Sequence, residues 1–63
     1  MKLKFIGEDG SMGLRFGEVY DARIFIQGKF LWVEWKASLF SVKKCPYSST
    51  KAFAQNWNIP DAI

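Results

Sequence analysis

The chain has 63 residues, which is enough for one small hydrophobic core but not for two. Six phenylalanines, three tryptophans and two tyrosines supply too much apolar bulk for a disordered segment. The net charge of +3 is a mild bias, weaker than the charge typical of nucleic-acid-binding domains. The sequence contains no histidine, and its single cysteine cannot form an internal disulfide or supply a zinc site. These counts predict one domain without metal or cofactor.

Hydropathy along the chain bears on where the protein resides. No run of apolar residues approaches the roughly 18 that span a bilayer. The first residues, Met1-Lys2-Leu3-Lys4, begin a strand pattern and do not resemble a signal peptide. The sequence therefore predicts a cytoplasmic protein without a membrane partner.

The first part of the chain predicts two strands separated by a loop. Residues 2–6 alternate lysines with Leu3 and Phe5, as in a strand that buries one face. Residues 7–13 contain three glycines and little apolar content, which predicts a loose loop. Residues 19–27 are rich in β-branched and aromatic side chains and predict the second strand.

A β-hairpin is predicted between residues 19–27 and 30–36. With Gln27-Gly28 as the turn, Asp21 would lie opposite Glu34, and two like charges would repel each other. With Gly28-Lys29 as the turn, glycine occupies the first central position, as a type II′ turn requires. We therefore predict the second register. It sets up three favourable cross-strand pairs: Arg23 with Glu34, Asp21 with Lys36, and Phe25 with Trp32.

This register also assigns the two faces of the hairpin. The predicted core face carries Ala22, Ile24, Ile26, Leu31, Val33 and Trp35. The opposite face carries Phe25, Phe30 and Trp32 among the charged residues. Because an antiparallel sheet normally keeps one face polar, these aromatic side chains indicate that another element or a partner covers them.

The last part of the chain predicts a further strand and a helix. The strand covers residues 39–44 and is expected to stop at Cys45-Pro46, because proline cannot donate a hydrogen bond to a neighbouring strand. Residues 48–50 offer helix N-caps, and a helix is predicted over about 50–57, with Asn58 as its left-handed end. Asp61-Ala62-Ile63 is expected to be frayed.

Four short strands and one terminal helix predict a mainly β domain that spans residues 1–63. A small antiparallel barrel or strongly curved sheet accommodates such strands, and glycines 13 and 17 allow the chain to bend. One short α-helix follows at the C-terminal end.

Two segments resemble a known group of proteins. Phe16-Gly17-Glu18-Val19-Tyr20-Asp21-Ala22 looks like the Gly-Lys-x-Tyr-x-Val segment of short SH3-like β-barrel proteins encoded by phages and prophages of Gram-positive bacteria, although Glu18 stands where lysine is usual. Cys45-Pro46-Tyr47-Ser48-Ser49, followed by an aromatic-bearing helix, is similar to the ending of some of them. The resemblance implies an SH3-like fold and a bacterial host cell, and it implies no catalytic residue.

Catalysis is not predicted. Cys45 would need an adjacent base to act as a nucleophile, and a free cysteine usually packs as a small hydrophobe. Glu8 and Asp9 lie in the glycine-rich loop without the spaced carboxylates of a calcium site. The sequence therefore predicts a protein that is not an enzyme.

Two binding functions remain open. A protein-interaction module would present an aromatic groove to an extended peptide, and the candidates for its lining are Tyr20, Phe30, Trp32 and Tyr47. A single-stranded nucleic-acid-binding protein would stack bases on Phe25, Phe30 and Trp32, with Arg23, Lys29 and Lys36 as phosphate partners. Against nucleic-acid binding stands the alternative that Phe53 and Trp57 of the helix cover these aromatic residues. Against the peptide groove stands the alternative that Tyr20 and Tyr47 are ordinary residues at the end of a barrel, with their hydroxyls in water.

The interaction module with an unknown protein partner is favoured over nucleic acid, because +3 neutralises few phosphates. Lys43 and Lys44 join the predicted binding residues, and they equally suit the edge of a sheet, where charge discourages pairing. A monomer or a weak homodimer is expected. The full predicted binding set is Tyr20, Arg23, Phe25, Phe30, Trp32, Lys36, Lys43 and Lys44.

Overall fold

A computed structural model describes residues 1–60 and shows one sheet of five strands with a short helix. The elements are β1 (Lys2–Phe5), β2 (Val19–Gln27), β3 (Phe30–Ser38), β4 (Ser41–Tyr47), α1 (Thr50–Asn56) and β5 (Trp57–Asn58). The strand order is β4-β3-β2-β1-β5, and every pairing is antiparallel. The predicted mainly β fold class, a small antiparallel barrel or curved sheet with one short helix, is confirmed. The tail predicted to be frayed lies outside the described residues.

The core gathers side chains from the sheet, the loop after β1 and the end of the chain. Its buried members are Leu3, Phe5, Leu14, Ala22, Val33, Trp35 and Trp57. The Trp57 ring lies 5.1 Å from Phe5, 5.7 Å from Trp35 and 6.1 Å from Tyr20, measured between ring centroids. Trp57 therefore joins β1, β2 and β3 in one aromatic cluster.

The β2–β3 hairpin has the predicted register. Gln27 pairs with Phe30 across the Gly28-Lys29 turn. Gly28 has φ of 65° while Lys29 keeps a negative φ, as in a type II′ turn. The predicted core face is correct except at Ile26, which is 78% exposed. Ile26 lies one pair before the turn, where its cross-strand partner Leu31 packs against the core and Ile26 does not.

Strand β4 differs from the prediction. It covers Ser41–Tyr47 instead of residues 39–44, and Leu39 and Phe40 form the turn after β3. Pro46 does not stop the strand but pairs with Trp32 inside it. β4 is an edge strand, where proline is tolerated because one side of the strand has no partner for a backbone N–H. Strand β3 also continues to Ser38, two residues past its predicted end, through an irregularity after Lys36.

Helix α1 begins as predicted, and the Ser49 side chain accepts a hydrogen bond from the Ala52 backbone N–H at 3.1 Å. It ends one residue early, because Trp57 adopts an extended conformation and pairs with Phe5 as the start of β5. The predicted left-handed end at Asn58 is therefore wrong. The chain uses these two residues to close the sheet onto β1, which places Trp57 in the core.

The segment between β1 and β2 is a loop, as predicted, and hydrogen bonds within it give it a defined path. A 3-10 turn covers Ser11–Gly13, and the Gly10 N–H donates to the Leu14 carbonyl at 2.6 Å. The Asp9 carboxylate accepts from the Phe16 backbone N–H at 2.8 Å. These bonds fold the segment back so that Leu14, 2% exposed, enters the core.

Glycines 10 and 28 allow the order of the loop to be tested. On sequence alone, Gly28 is expected to be the more sensitive, but Gly10 has φ of 90° against 65° at Gly28. An added Cβ meets nothing within 4 Å at either position, so the strain of substitution comes from the backbone. We expect Gly10→Ala and Gly28→Ala each to lower the free energy of unfolding by about 1–2 kcal/mol in urea denaturation. A Gly10→Ala variant whose free energy of unfolding lies within a few tenths of a kcal/mol of the wild type would contradict this conformation of the loop.

Candidate functional site on the outer face of β2, β3 and β4

The outer face is the side of β2, β3 and β4 that is turned away from the core. Because side chains alternate along a strand, the observed register brings one set of residues from each strand to this face. The set comprises Asp21, Arg23 and Phe25 from β2, Phe30, Trp32, Glu34 and Lys36 from β3, and Val42, Lys44 and Pro46 from β4. Its centre is the cross-strand pair of Phe25 and Trp32.

Phe25 and Trp32 form a stacked pair, with ring centroids 6.3 Å apart and ring planes 7° from parallel. The Arg23 guanidinium lies 4.8 Å from the centroid of the Phe25 ring. The Lys44 ammonium lies 5.2 Å from the centroid of the Trp32 ring. Cations over aromatic rings are attracted by the negative ring faces. The aromatic pair is therefore flanked by two positive charges.

Glu34 lies among these cations. Its carboxylate accepts hydrogen bonds from Arg23 Nε at 2.8 Å and from Arg23 Nη2 at 3.4 Å. The Arg23 hydrogen bond lowers the pKa of Glu34, and the charge of Lys44 acts in the same direction. The same pair raises the pKa of Arg23. Glu34 is ionised at neutral pH and offsets part of the positive charge of the outer face.

A shallow groove of about 230 Å³ lies across β2, β3 and β4 at the outer face. Its lining residues are Asp21, Ala22, Arg23, Glu34, Trp35, Lys36 and Val42. The predicted ion pair of Asp21 with Lys36 is replaced by one with Lys2, whose Nζ lies 2.7 Å from the Asp21 carboxylate. The Lys2 hydrogen bond lowers the pKa of Asp21, to which Lys36 adds a smaller effect.

Helix α1 does not cover this face. Phe53 packs edge-on against Tyr47, with centroids 6.3 Å apart, and borders the core instead. Trp57 lies inside the core. The alternative in which these two residues cover the outer face is therefore wrong. Within residues 1–60 the buried indole N–H of Trp32 has no hydrogen-bond partner.

Two of the eight predicted binding residues lie elsewhere. Tyr20 faces the core, where its hydroxyl accepts from the Arg15 backbone N–H at 2.9 Å. Lys43 lies on the side of β4 opposite Lys44 and donates to the Met12 carbonyl at 3.4 Å. Tyr47, proposed for the peptide groove, also faces the core, and its hydroxyl accepts from Trp57 Nε1 at 2.9 Å. The predicted groove of Tyr20, Phe30, Trp32 and Tyr47 is not formed.

The remaining six predicted residues share the outer face. The hairpin register places Arg23, Phe25, Phe30, Trp32 and Lys36 there, and the pairing of β4 with β3 adds Lys44. Sequence reasoning missed Val42 and Pro46 on this face. Val42 lay inside the predicted strand 39–44, but its cross-strand partner Lys36 was not predicted. Pro46 was missed because proline was expected to end the strand.

Few side chains in residues 1–60 suit nucleophilic catalysis or metal binding. Cys45 is half-buried against the core, and its thiol contacts the Pro46 carbonyl at 3.6 Å. Residues 1–60 contain no cluster of three or more side chains suited to hold a metal ion. Within the same residues no helix is long and apolar enough to cross a membrane.

Comparison of the chain with protein-family models, with curated proteins and with solved structures finds no match. The fold and the outer face themselves define a small antiparallel β domain with an open, mixed aromatic and charged sheet face.

Proposed function

We propose that this protein is a non-enzymatic interaction module that binds a protein partner through the outer face. The observation that carries the proposal is the stacked pair of Phe25 and Trp32, which α1 leaves uncovered. Tryptophan and arginine are frequent hot spots of protein interfaces. The outer face offers both, with Trp32 beside a cation and Arg23 already held in place by Glu34.

The charges of the outer face favour a peptide over a nucleic acid. Arg23, Lys36 and Lys44 are positive, but Asp21 and Glu34 are carboxylates on the same face and would repel a phosphate backbone. A segment of a protein can match both signs with its own side chains. The partner in this proposal is an extended segment that places an apolar side chain on the aromatic pair and acidic groups near Lys36 and Lys44.

The proposal includes a setting in a phage or prophage and in the cytoplasm of a bacterial host. The resemblance of residues 16–22 and 45–49 to short phage-encoded proteins supports it. The protein acts there as a monomer or a weak homodimer, because Lys44 and Pro46 discourage strand pairing along the free edge of β4.

The test is capture of partners from a bacterial lysate by the immobilised protein, followed by affinity measurement with the partner recovered. We expect Trp32→Ala and Phe25→Ala to weaken binding at least tenfold, as for hot-spot residues. Phe16→Ala is the matched control, because Phe16 is an exposed phenylalanine on the segment before β2. Equal losses in Phe16→Ala and Phe25→Ala would contradict the proposed face.

A short single-stranded oligonucleotide distinguishes the alternative function. We expect no measurable binding near physiological salt. If nucleic acid is the partner, affinity falls with salt at a log–log slope of about −0.7 for each phosphate neutralised. Micromolar binding that weakens tenfold on moderate addition of salt would replace the protein partner with a nucleic acid.

A further inference from the structure

The turn between β3 and β4 is unusual in its residues. Leu39 and Phe40 connect the paired Ser38 and Ser41 and are 86% and 99% exposed. Two-residue turns ordinarily use glycine, asparagine, aspartate, serine or proline. Both residues have negative φ, which any residue type can adopt, so the turn conformation does not require leucine and phenylalanine. Neither the turn geometry nor the core accounts for two large apolar side chains at this position.

The exposed apolar surface extends beyond the turn. Val42 on β4 is also exposed, and Leu39, Phe40 and Val42 together are called the apolar tip. Met12, a further exposed apolar residue, is held at this end of the molecule by the hydrogen bond from Lys43 to its carbonyl. The apolar tip projects from the end of a two-stranded hairpin, so it is convex and offers no recess to a ligand.

Lysines surround the apolar tip. Lys36 lies on the outer face of the hairpin and Lys43 on the opposite face, each three residues from the turn. At about 3.3 Å per residue both lysines stand roughly 10 Å behind Leu39 and Phe40, and Lys36 is level with its cross-strand partner Val42. Residues 35–60 contain no aspartate or glutamate. The two carboxylates that line the groove beside Lys36, Asp21 and Glu34, are paired with Lys2 and Arg23, and Asp9 is paired with Arg15.

We propose that the apolar tip inserts into the surface of an anionic lipid bilayer, with Lys36 and Lys43 against the lipid phosphates. Amphipathic structures at a membrane surface bury their apolar part about 5–10 Å deep, a depth that matches the spacing of these lysines. Long lysine side chains reach back to the headgroups from such positions. A fluid bilayer accepts a convex tip, whereas a protein partner would need a matching pocket. The lack of a membrane-spanning segment concerns crossing the bilayer and does not bear on attachment to its surface.

The experiment is co-sedimentation with vesicles of equal parts phosphatidylglycerol and phosphatidylcholine, compared with vesicles of phosphatidylcholine alone. We expect the wild type to partition onto the anionic vesicles and the Leu39→Ser/Phe40→Ser variant to bind at least tenfold more weakly. Ile26→Ser is the matched control, because Ile26 is also apolar and exposed but lies in β2 beside the β2–β3 turn, at the other end of the hairpin from the apolar tip. Lys36→Gln/Lys43→Gln is expected to abolish the preference for anionic vesicles.

Depth of insertion supplies a second measurement. Brominated lipids should quench the tryptophan fluorescence of a Phe40→Trp variant more strongly than that of an Ile26→Trp variant. Both variants keep the three native tryptophans, so the background fluorescence is the same. Absence of wild-type binding to anionic vesicles would overturn the proposal. Equal losses in the tip variant and the Ile26→Ser control would overturn it as well, as would equal quenching at the two positions.

Discussion

Replacing Trp57 with alanine is expected to lower the free energy of unfolding by about 3–5 kcal/mol. Trp57 is fully buried, and its ring contacts Phe5, Tyr20 and Trp35. A domain of this size has a total stability of about 3–9 kcal/mol at typical values per residue. Trp57→Ala should therefore leave much of the protein unfolded at physiological temperature. Far-ultraviolet circular dichroism during urea denaturation measures the effect.

The control for this substitution is Trp57→Phe, which keeps an aromatic ring but removes the indole N–H that donates to the Tyr47 hydroxyl at 2.9 Å. Burial raises the pKa of Tyr47 to about 12, so this hydroxyl stays neutral at physiological pH. We expect Trp57→Phe to lower stability by about 1–2 kcal/mol. A Trp57→Ala variant as stable as Trp57→Phe would contradict the central position of this ring.

Leu14→Ala is expected to lower the free energy of unfolding by about 2–5 kcal/mol, the range for a leucine that leaves a cavity in a core. Leu14 is buried, and the hydrogen bond from Gly10 holds its backbone. The effect is large for a residue in a glycine-rich connection, because the segment between β1 and β2 packs as part of the domain.

Leu39→Ala provides the matched comparison, since it removes the same atoms from the 86% exposed side chain at the apolar tip. We expect its stability to stay within about 0.5 kcal/mol of the wild type. Chemical denaturation of the two variants under identical conditions measures the difference. Equal stabilities would show that Leu14 does not contribute to the core.

The β2–β3 hairpin could be predicted in detail because its register depends on interactions between near neighbours. Gly28 determines the turn, and the pairs of Arg23 with Glu34 and Phe25 with Trp32 follow from it. Period-two alternation then assigns the faces. The same register places five of the predicted binding residues, Arg23, Phe25, Phe30, Trp32 and Lys36, on one face of the hairpin.

Residues that depend on distant contacts could not be predicted. Trp57 has the spacing of a helical residue relative to Phe53, but its pairing with Phe5 across the chain places it in β5. A two-residue strand has no periodicity to reveal it. Leu14 stands alone between glycines and charged residues, so no local pattern marks it as buried.

The sequence by itself determined the mainly β class, the central hairpin and the alternation of aromatic and charged residues on its second face, because these depend on local turn chemistry and side-chain period. Only the tertiary structure decided what lies over that face. Among Phe5, Tyr20 and Trp35, the Trp57 side chain buries more apolar surface than it would by lying on an exposed sheet face. Packing of Trp57 into the core therefore leaves Phe25 and Trp32 uncovered by the helix and partly exposed.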